Sequence, residues 1–230
     1  MISIITTSSP LPGELEAFMA TLEAYRQQGR RDVELLVVDD LRILDAVPPG
    51  FPPERVKILR PAVRGQLDAG IAALAEAKGE LVITMDPDMC ENVADIDRFV
   101  AEHAAGSLLI YGRRISRSDV SSLRQGLSRF YNALLQQLFD LPVHDINTPM
   151  LMVSRRIITD ILAYDGHGGL VKLYFPYRLG RDFSELDIRV SGVAKTSSYS
   201  YASLLLFMLK QLAAVWRFQR FRQQERRHAV

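Results

Sequence analysis

Two acidic pairs, Asp39-Asp40 and Asp86-Pro87-Asp88, are the groups in this chain best suited to hold a divalent cation against phosphate. Mg²⁺ takes only one or two protein carboxylates and fills its shell with phosphate oxygens and water, so one Asp-x-Asp is enough. A cation held there neutralises charge growing on a departing phosphate oxygen. The motif alone is weak, because carboxylates are common in solvated loops. A basic set complements it: Arg113, Arg114 and Arg124, then Arg189 and Lys195 in the stretch Arg-Val-Ser-Gly-Val-Ala-Lys. Guanidinium groups grip phosphate through paired hydrogen bonds, and lysine serves as a movable point charge.

Position gives the acidic pairs their weight. The first closes the apolar run from Glu34, and the second closes the run from Leu81. Short apolar runs at Ile2–Thr6, Val33–Val38, Val56–Leu59, Leu81–Thr84 and Leu108–Tyr111 predict strands buried on both faces. Helical periodicity separates them at Glu14–Gln27, Gln66–Lys78 and Ala94–His103. This alternation predicts an α/β fold, a mostly parallel sheet flanked by helices, with right-handed crossovers. Ligands in such sheets bind outside the carboxyl ends of the strands, which is where both acidic pairs fall. Arg113 and Arg114 are expected just past the fifth strand. Gly79 is expected to stop the helix before it, and Asn92 to cap the helix near Val93.

The second half reads differently. Leu123, Leu127, Phe130, Leu134 and Leu138 predict a long amphipathic helix over Asp119–Leu138. A strand (Met150–Val153), a helix from Arg155, a short helix near Leu170–Leu179, a strand (Phe183–Ile188) and a last helix from about Tyr199 follow.

The bulk numbers suit one such domain. The chain has 230 residues, 48% hydrophobic and 24% charged, which supports an ordinary core and excludes a disordered polypeptide. The lone Cys90 cannot form an internal disulfide, which fits a reducing compartment. It reads as a small side chain rather than a nucleophile, His144 reads as structural, and His103 favours the end of its helix. Met1 to Thr6 reads as a strand rather than a signal peptide, and no stretch reaches the roughly 18 apolar residues of a membrane span.

A net charge of +1 hides a basic tail, with Arg217, Arg220, Arg222, Arg226 and Arg227 opposed only by Glu225. Before them Leu204, Leu205, Phe207, Met208, Leu212, Val215 and Trp216 form a strongly apolar surface. Such a helix suits a membrane interface, with its arginines drawn to anionic lipid; an apolar face buried in a homo-oligomer is the alternative. Nucleic acid is a poorer partner, since no recognition motif accompanies the basic cluster.

The order of motifs resembles the family-2 glycosyltransferases that load a sugar onto a polyprenyl phosphate, the dolichol-phosphate mannosyltransferases among them. The matching stretches are Val-Val-Asp-Asp ending at Asp40, Arg64-Gly65, Asp68 to Ile71, Lys78-Gly79-Glu80 and Met85 to Asp88. Gly112-Arg113-Arg114, Arg124 with Ser128 and Asn132, Asp145 to Met150, and Arg189-x-x-Gly192-x-x-Lys195 continue the order. The resemblance implies a GT-A-like fold of the nucleotide-diphospho-sugar transferase type over residues 1–198, with an amphipathic basic helix over 199–230. It implies Mg²⁺ or Mn²⁺ at Asp86 and Asp88, and a UDP- or GDP-linked sugar contacted by Thr7, Ser9, Asp39, Asp40, Arg64 and Asp86. Asp86, Asp88 and Arg114 are the implied catalytic residues; Arg124, Ser128, Arg189 and Lys195 are those implied to bind the acceptor phosphate. An inverting transfer to polyprenyl phosphate is expected, by a peripheral protein on the cytoplasmic membrane face. A family-2 enzyme with a hydroxyl acceptor and a non-catalytic nucleotide-binding relative are the other readings.

Four places depart from the family pattern. Thr7-Ser8-Ser9-Pro10-Leu11 replaces Pro-x-Tyr-Asn-Glu, Leu41-Arg42 replaces Gly-Ser, Cys90 stands for a glutamine, and Ala194 for a serine. The first two fall where the base is read and the others by the donor diphosphate. Together they leave two readings, a divergent donor or lost activity.

Overall fold

Strand and helix alternate from the first residues: β1 (Ile2–Thr7), α1 (Glu14–Gln27), β2 (Val33–Val38), β3 (Val56–Leu59), α2 (Gln66–Glu76), β4 (Leu81–Thr84) and α3 (Ile96–Ala104). Then come β5 (Leu109–Ser116), β6 (Leu151–Ser154), α4 (Arg155–Ala163) and β7 (Phe183–Arg189). The computed structural model describes residues 1–29, 31–60, 66–116, 126, 132–134, 136–137, 143–163 and 182–189. Outside them lie Arg64, Arg124, Ser128, Lys195, the expected helix near 170–179, the tail 199–230 and most of the expected helix 119–138. Residues 126, 132–134, 136 and 137 of that last stretch are helical.

The strands form one sheet in the order β3-β2-β1-β4-β6-β5-β7. Every neighbouring pair is parallel except the two that involve β6, which runs antiparallel to both β4 and β5. The carboxyl ends of the other six strands therefore share one edge, and the segment 143–150 enters β6 from that same edge.

Period-two alternation sends successive side chains into separate cores. Ile5, Leu36, Val38, Val82, Tyr111 and Val153 meet Ala73 and Leu74 of α2 and Ile157, Ile158 and Ile161 of α4. Ile4, Leu35, Val37, Ile83 and Met152 meet Phe18, Met19 and Leu22 of α1 and Ile96 and Phe99 of α3. Both faces are covered, which is why these strands read as unbroken apolar runs.

Three local expectations are corrected. β5 continues through Gly112, Arg113 and Arg114, because β7 pairs alongside those residues; the arginines lie within the strand. Asn92 caps nothing: it is buried inside a 3₁₀ segment, Cys90–Asp95, that precedes α3. Gly79 does not end α2, which stops at Glu76. It is required instead by close approach, since a Cβ there would lie 2.5 Å from the Ser3 backbone nitrogen and 2.9 Å from the Ile2 carbonyl carbon. Among the described residues, no helix is long and apolar enough to cross a membrane.

Candidate functional site at the carboxyl edge

The ladder register brings three polar strand ends together. Thr7 is paired with Val38, and Ile5 with Thr84. Pairing runs one step further: Ser8 N donates to Val38 O at 2.9 Å, Met85 N to Ile5 O at 2.9 Å, and Asp39 N to Leu59 O at 2.8 Å. Thr7–Ser9, Asp39–Asp40 and Asp86–Asp88 thus leave adjacent strands side by side. Neighbouring strands are about 4.8 Å apart, so the three ends span about 10 Å.

Asp86 is half-buried and Asp88 exposed, while Pro87 and Met89 between and after them are buried. Met89 N donates to Asp86 O at 3.0 Å and closes the turn. The buried residues anchor the turn at the edge, and Asp88 projects where a ligand can reach it. Among the described residues, no three His, Cys, Asp or Glu gather as an all-protein cage. An Asp pair at an open edge fits the hard-cation mode, in which phosphate oxygens complete the shell.

The other acidic pair divides its labour. Asp39 is fully buried, and its carboxylate accepts from the amides of Ile43 (3.0 Å) and Leu44 (3.2 Å), with Arg60 Nε at 3.4 Å. Burial is the largest single influence and works against its charged form, but the two amides, together with Ser8 and Arg60, outweigh it and hold the carboxyl below its ordinary range. Asp39 thereby shapes the loop after β2, in which Arg42 adopts a left-handed φ of 55°. Such a backbone is uncommon outside glycine, and it stands where the family pattern has Gly-Ser. Asp40 follows, half-buried, at the edge itself. Ser9 also shapes a loop: its hydroxyl donates to Glu14 at 2.5 Å and accepts from Leu11 N at 3.1 Å.

The basic residues sort in the same way. Arg114 is clamped by Asp145, Nε to Oδ2 at 2.7 Å and Nη2 to Oδ1 at 2.8 Å, with side chains only 15% and 10% exposed. Arg114 Nη2 also donates to Asn147 O at 3.2 Å. This guanidinium, expected beside substrate phosphate, ties the segment entering β6 to β5. Arg113 pairs with Asp187 at 2.6 Å, and that hydrogen bond lowers the carboxyl of Asp187. Arg189, at the end of β7, is exposed.

Sequence reasoning missed the partners. Asp145 is the counter-charge of Arg114, and Glu185 receives the His144 amide (2.7 Å), its Nδ1 (2.6 Å) and the Asp145 amide (3.3 Å). Asn92 Nδ2 binds Asp95 Oδ2 and the Arg189 carbonyl, both at 2.9 Å, joining the segment after Asp88 to the end of β7. Sequence separations of 31, 41 and 97 residues left no local signal for them.

A family model described as glycosyl transferase family 2 matches residues 13–162, which includes both acidic pairs. The chain belongs to glycosyl transferase family 2.

Curated relatives carry the name undecaprenyl-phosphate 4-deoxy-4-formamido-L-arabinose transferase. The one from Pseudomonas fluorescens is 28% identical over 168 residues, covering 70% of this chain and 49% of its own length. The one from Proteus mirabilis is 27% identical over 226 residues, covering 94% and 66%. The chain thus spans about half the length of the first of these relatives and two thirds of the second. Among solved structures, glucosyl-3-phosphoglycerate synthase from Mycobacterium tuberculosis, bound to phosphoglyceric acid, aligns with a TM-score of 0.67 at 16% identity over 94% of this chain and 78% of that one. Mannosyl-3-phosphoglycerate synthase from Rubrobacter xylanophilus aligns at 0.63 and 15% identity, over 98% and 75%. At those identities the likeness shows the fold, the GT-A type expected from the motifs. The fold brings the two acidic pairs of this family-2 chain to one edge of the sheet, on either side of the end of β1.

Proposed function

We propose that the chain moves a sugar from a UDP- or GDP-linked donor to a polyprenyl phosphate, inverting the anomeric carbon. The observation that carries this is the meeting of Thr7–Ser9, Asp39–Asp40 and Asp86–Asp88 at three adjacent parallel strand ends. The relatives' shared name supports a lipid phosphate as acceptor.

In this reading Thr7, at the end of β1, and Asp40, on the loop after β2 whose shape Asp39 holds, border the nucleoside. Asp86 and Asp88 hold Mg²⁺ or Mn²⁺, which supplies charge neutralisation at the leaving diphosphate. Arg189, with Arg64, Arg124, Ser128 and Lys195 from outside the described residues, lines the donor and acceptor phosphates. Arg114 acts one step back, fixing the segment 145–148 through Asp145. An acceptor phosphate oxygen attacks the anomeric carbon while the carbon–oxygen bond to the diphosphate breaks, releasing a nucleoside diphosphate. A phosphate with a second pKa of about 6 is largely anionic at neutral pH, so it needs alignment more than a general base.

The segment 199–230 is assigned to the cytoplasmic membrane surface, through its apolar residues and five late arginines. This brings a peripheral protein to a lipid-borne acceptor. Incubation with labelled UDP- and GDP-sugars, Mn²⁺ or Mg²⁺, and polyprenyl phosphate should move label into the organic phase. No transfer from any common donor by folded protein would overturn the reading, and a water-soluble labelled product would replace the lipid acceptor with a hydroxyl one.

A further inference from the structure

Most of the large apolar side chains exposed among the described residues lie where the chain leaves the carboxyl ends of the strands: Leu11, Leu41, Ile43 and Ile115. The others are Met1, at the opposite edge, and Leu162 on α4. Single exposed apolar residues are ordinary on any surface, but their concentration on one edge calls for a partner. Leu11, Leu41 and Ile43 are 48%, 49% and 45% exposed and sit on neighbouring loops. Those loops leave β1 and β2 side by side, where Ser8 N donates to Val38 O. One enters α1 at Glu14, and the other crosses α1 at Gly50, beside Glu16 and Ala20.

The loop after β2 is built to hold its tip outward. Asp39 takes the amides of Ile43 and Leu44, and Arg60 Nη2 donates to the Leu44 carbonyl. Leu44 and Val47 turn into the core beneath α1. Arg42 keeps its left-handed φ of 55°, a conformation uncommon outside glycine. A buried carboxylate and a strained residue thus fix Leu41, Arg42 and Ile43 in solvent instead of letting them collapse onto the body. Arg42 is exposed and forms no ion pair among the described residues. The acidic residues closest in sequence are Asp40, half-buried at the strand end, and Asp45, beyond the point where Leu44 turns inward.

An apolar, cationic, apolar tip suits a phospholipid surface. Its aliphatic groups enter the acyl boundary, and the unpaired guanidinium takes a headgroup phosphate through paired hydrogen bonds. A stable protein partner would need about 800 Å² of this face, more than three side chains on two loop tips supply. We infer that Leu11 and Leu41–Ile43 form a membrane-docking surface that seats the carboxyl edge of the sheet against an anionic bilayer. The inference rests on the proposed transfer for one point, the lipid-borne acceptor, and adds which face of the folded domain meets the lipid. It is a contact separate from that of the segment 199–230.

The test uses the full chain in a Trp216→Phe background, so that one introduced tryptophan reports alone. Ile43→Trp places it on the loop tip, and Gln28→Trp places it at the end of α1, on the opposite edge. Both positions are exposed, so neither ring disturbs the core. The vesicles are brominated phosphatidylcholine and phosphatidylglycerol in equal parts. Ile43→Trp should lose about half its fluorescence on them, since an interfacial side chain sits about 5–10 Å into the headgroup region. Gln28→Trp should be unchanged. Arg42→Gln, in the otherwise wild-type chain, should bind these vesicles about fivefold more weakly, the scale of one arginine at an anionic surface. Equal quenching of the two reporters, none included, or unchanged binding of Arg42→Gln would overturn the docking surface. Sugar transfer to a short-chain, water-soluble prenyl phosphate, which needs no bilayer, is measured alongside. Transfer without selective quenching removes the surface and keeps the reaction; selective quenching without transfer does the reverse.

Discussion

At the residue scale, the charged groups nearest the site divide into those that build it and those that face it. Asp39 is a builder, a buried carboxylate holding two loop amides. Asp39→Ala should cost about 1–3 kcal/mol, the scale of leaving buried donors unpaired, as read from urea unfolding. Its pH signature follows from a carboxyl held below its ordinary value. Such a group contributes stability in full above its unfolded pKa of about 4, and the contribution fades as pH falls through the lower folded value. Asp39→Asn should therefore flatten the acid limb of the stability curve and leave its neutral-to-alkaline part parallel to wild type. Arg114 and Asp145 form the second built pair. A double-mutant cycle, Arg114→Ala with Asp145→Ala, should give a coupling of about 1–3 kcal/mol, because the pair is two-pronged and mostly shielded from solvent. The exposed pair Arg113–Asp187 should give under about 1 kcal/mol in the same experiment. Equal couplings would remove the distinction between an anchoring arginine and a surface one.

At the element scale, close strand packing decides which glycines matter. A methyl group at Gly79 would collide with the backbone of Ile2 and Ser3, which cannot move without disturbing β1, an interior strand paired on both sides. Gly79→Ala should therefore destabilise by about 2 kcal/mol or more, within the usual range for overpacking. Gly29 also has a positive φ, of 69°, but its missing Cβ faces open space. Gly29→Ala should cost only about 1 kcal/mol, the left-handed penalty alone. Thermal melts of the two variants rank them directly. Elements were also where the sequence was most legible. α1, β2, β3 and β4 lie where the sequence pattern placed them, since α1 repeats its apolar residues at helical spacing and each strand is a short apolar run bounded by polar or turn-forming residues. β5 was read short because its last residues are held by β7, a partner 74 positions away, rather than by burial of apolar side chains.

At the scale of the whole molecule, six strands pointing one way and one reversed produce a single polar edge fed by both halves of the chain. If that edge holds a cation and a diphosphate together, neither ligand should stabilise the protein as well alone. UDP or GDP should raise the melting temperature in the presence of Mn²⁺ or Mg²⁺ and do little in EDTA. At a hundredfold excess over Kd the gain corresponds to about 2.7 kcal/mol. Asp88→Asn should abolish the metal-dependent part of the shift. A shift that persists in EDTA would move the metal out of the site.

The sequence by itself determined the strand–helix alternation, the placing of both acidic pairs beyond buried strands, and the family order of the motifs. Those properties depend on local periodicity and on residue type. Which charges are buried or paired inside the protein was decided only by tertiary structure. Asp39 and Asp40 are adjacent and alike on paper, yet one is buried under two amides and the other stands at the edge. Arg114 acquires its role from Asp145, and Asn92 from the end of β7, through contacts across 31 and 97 residues. Hydrogen-bond partners so distant are set by sheet order and register, which no local pattern encodes.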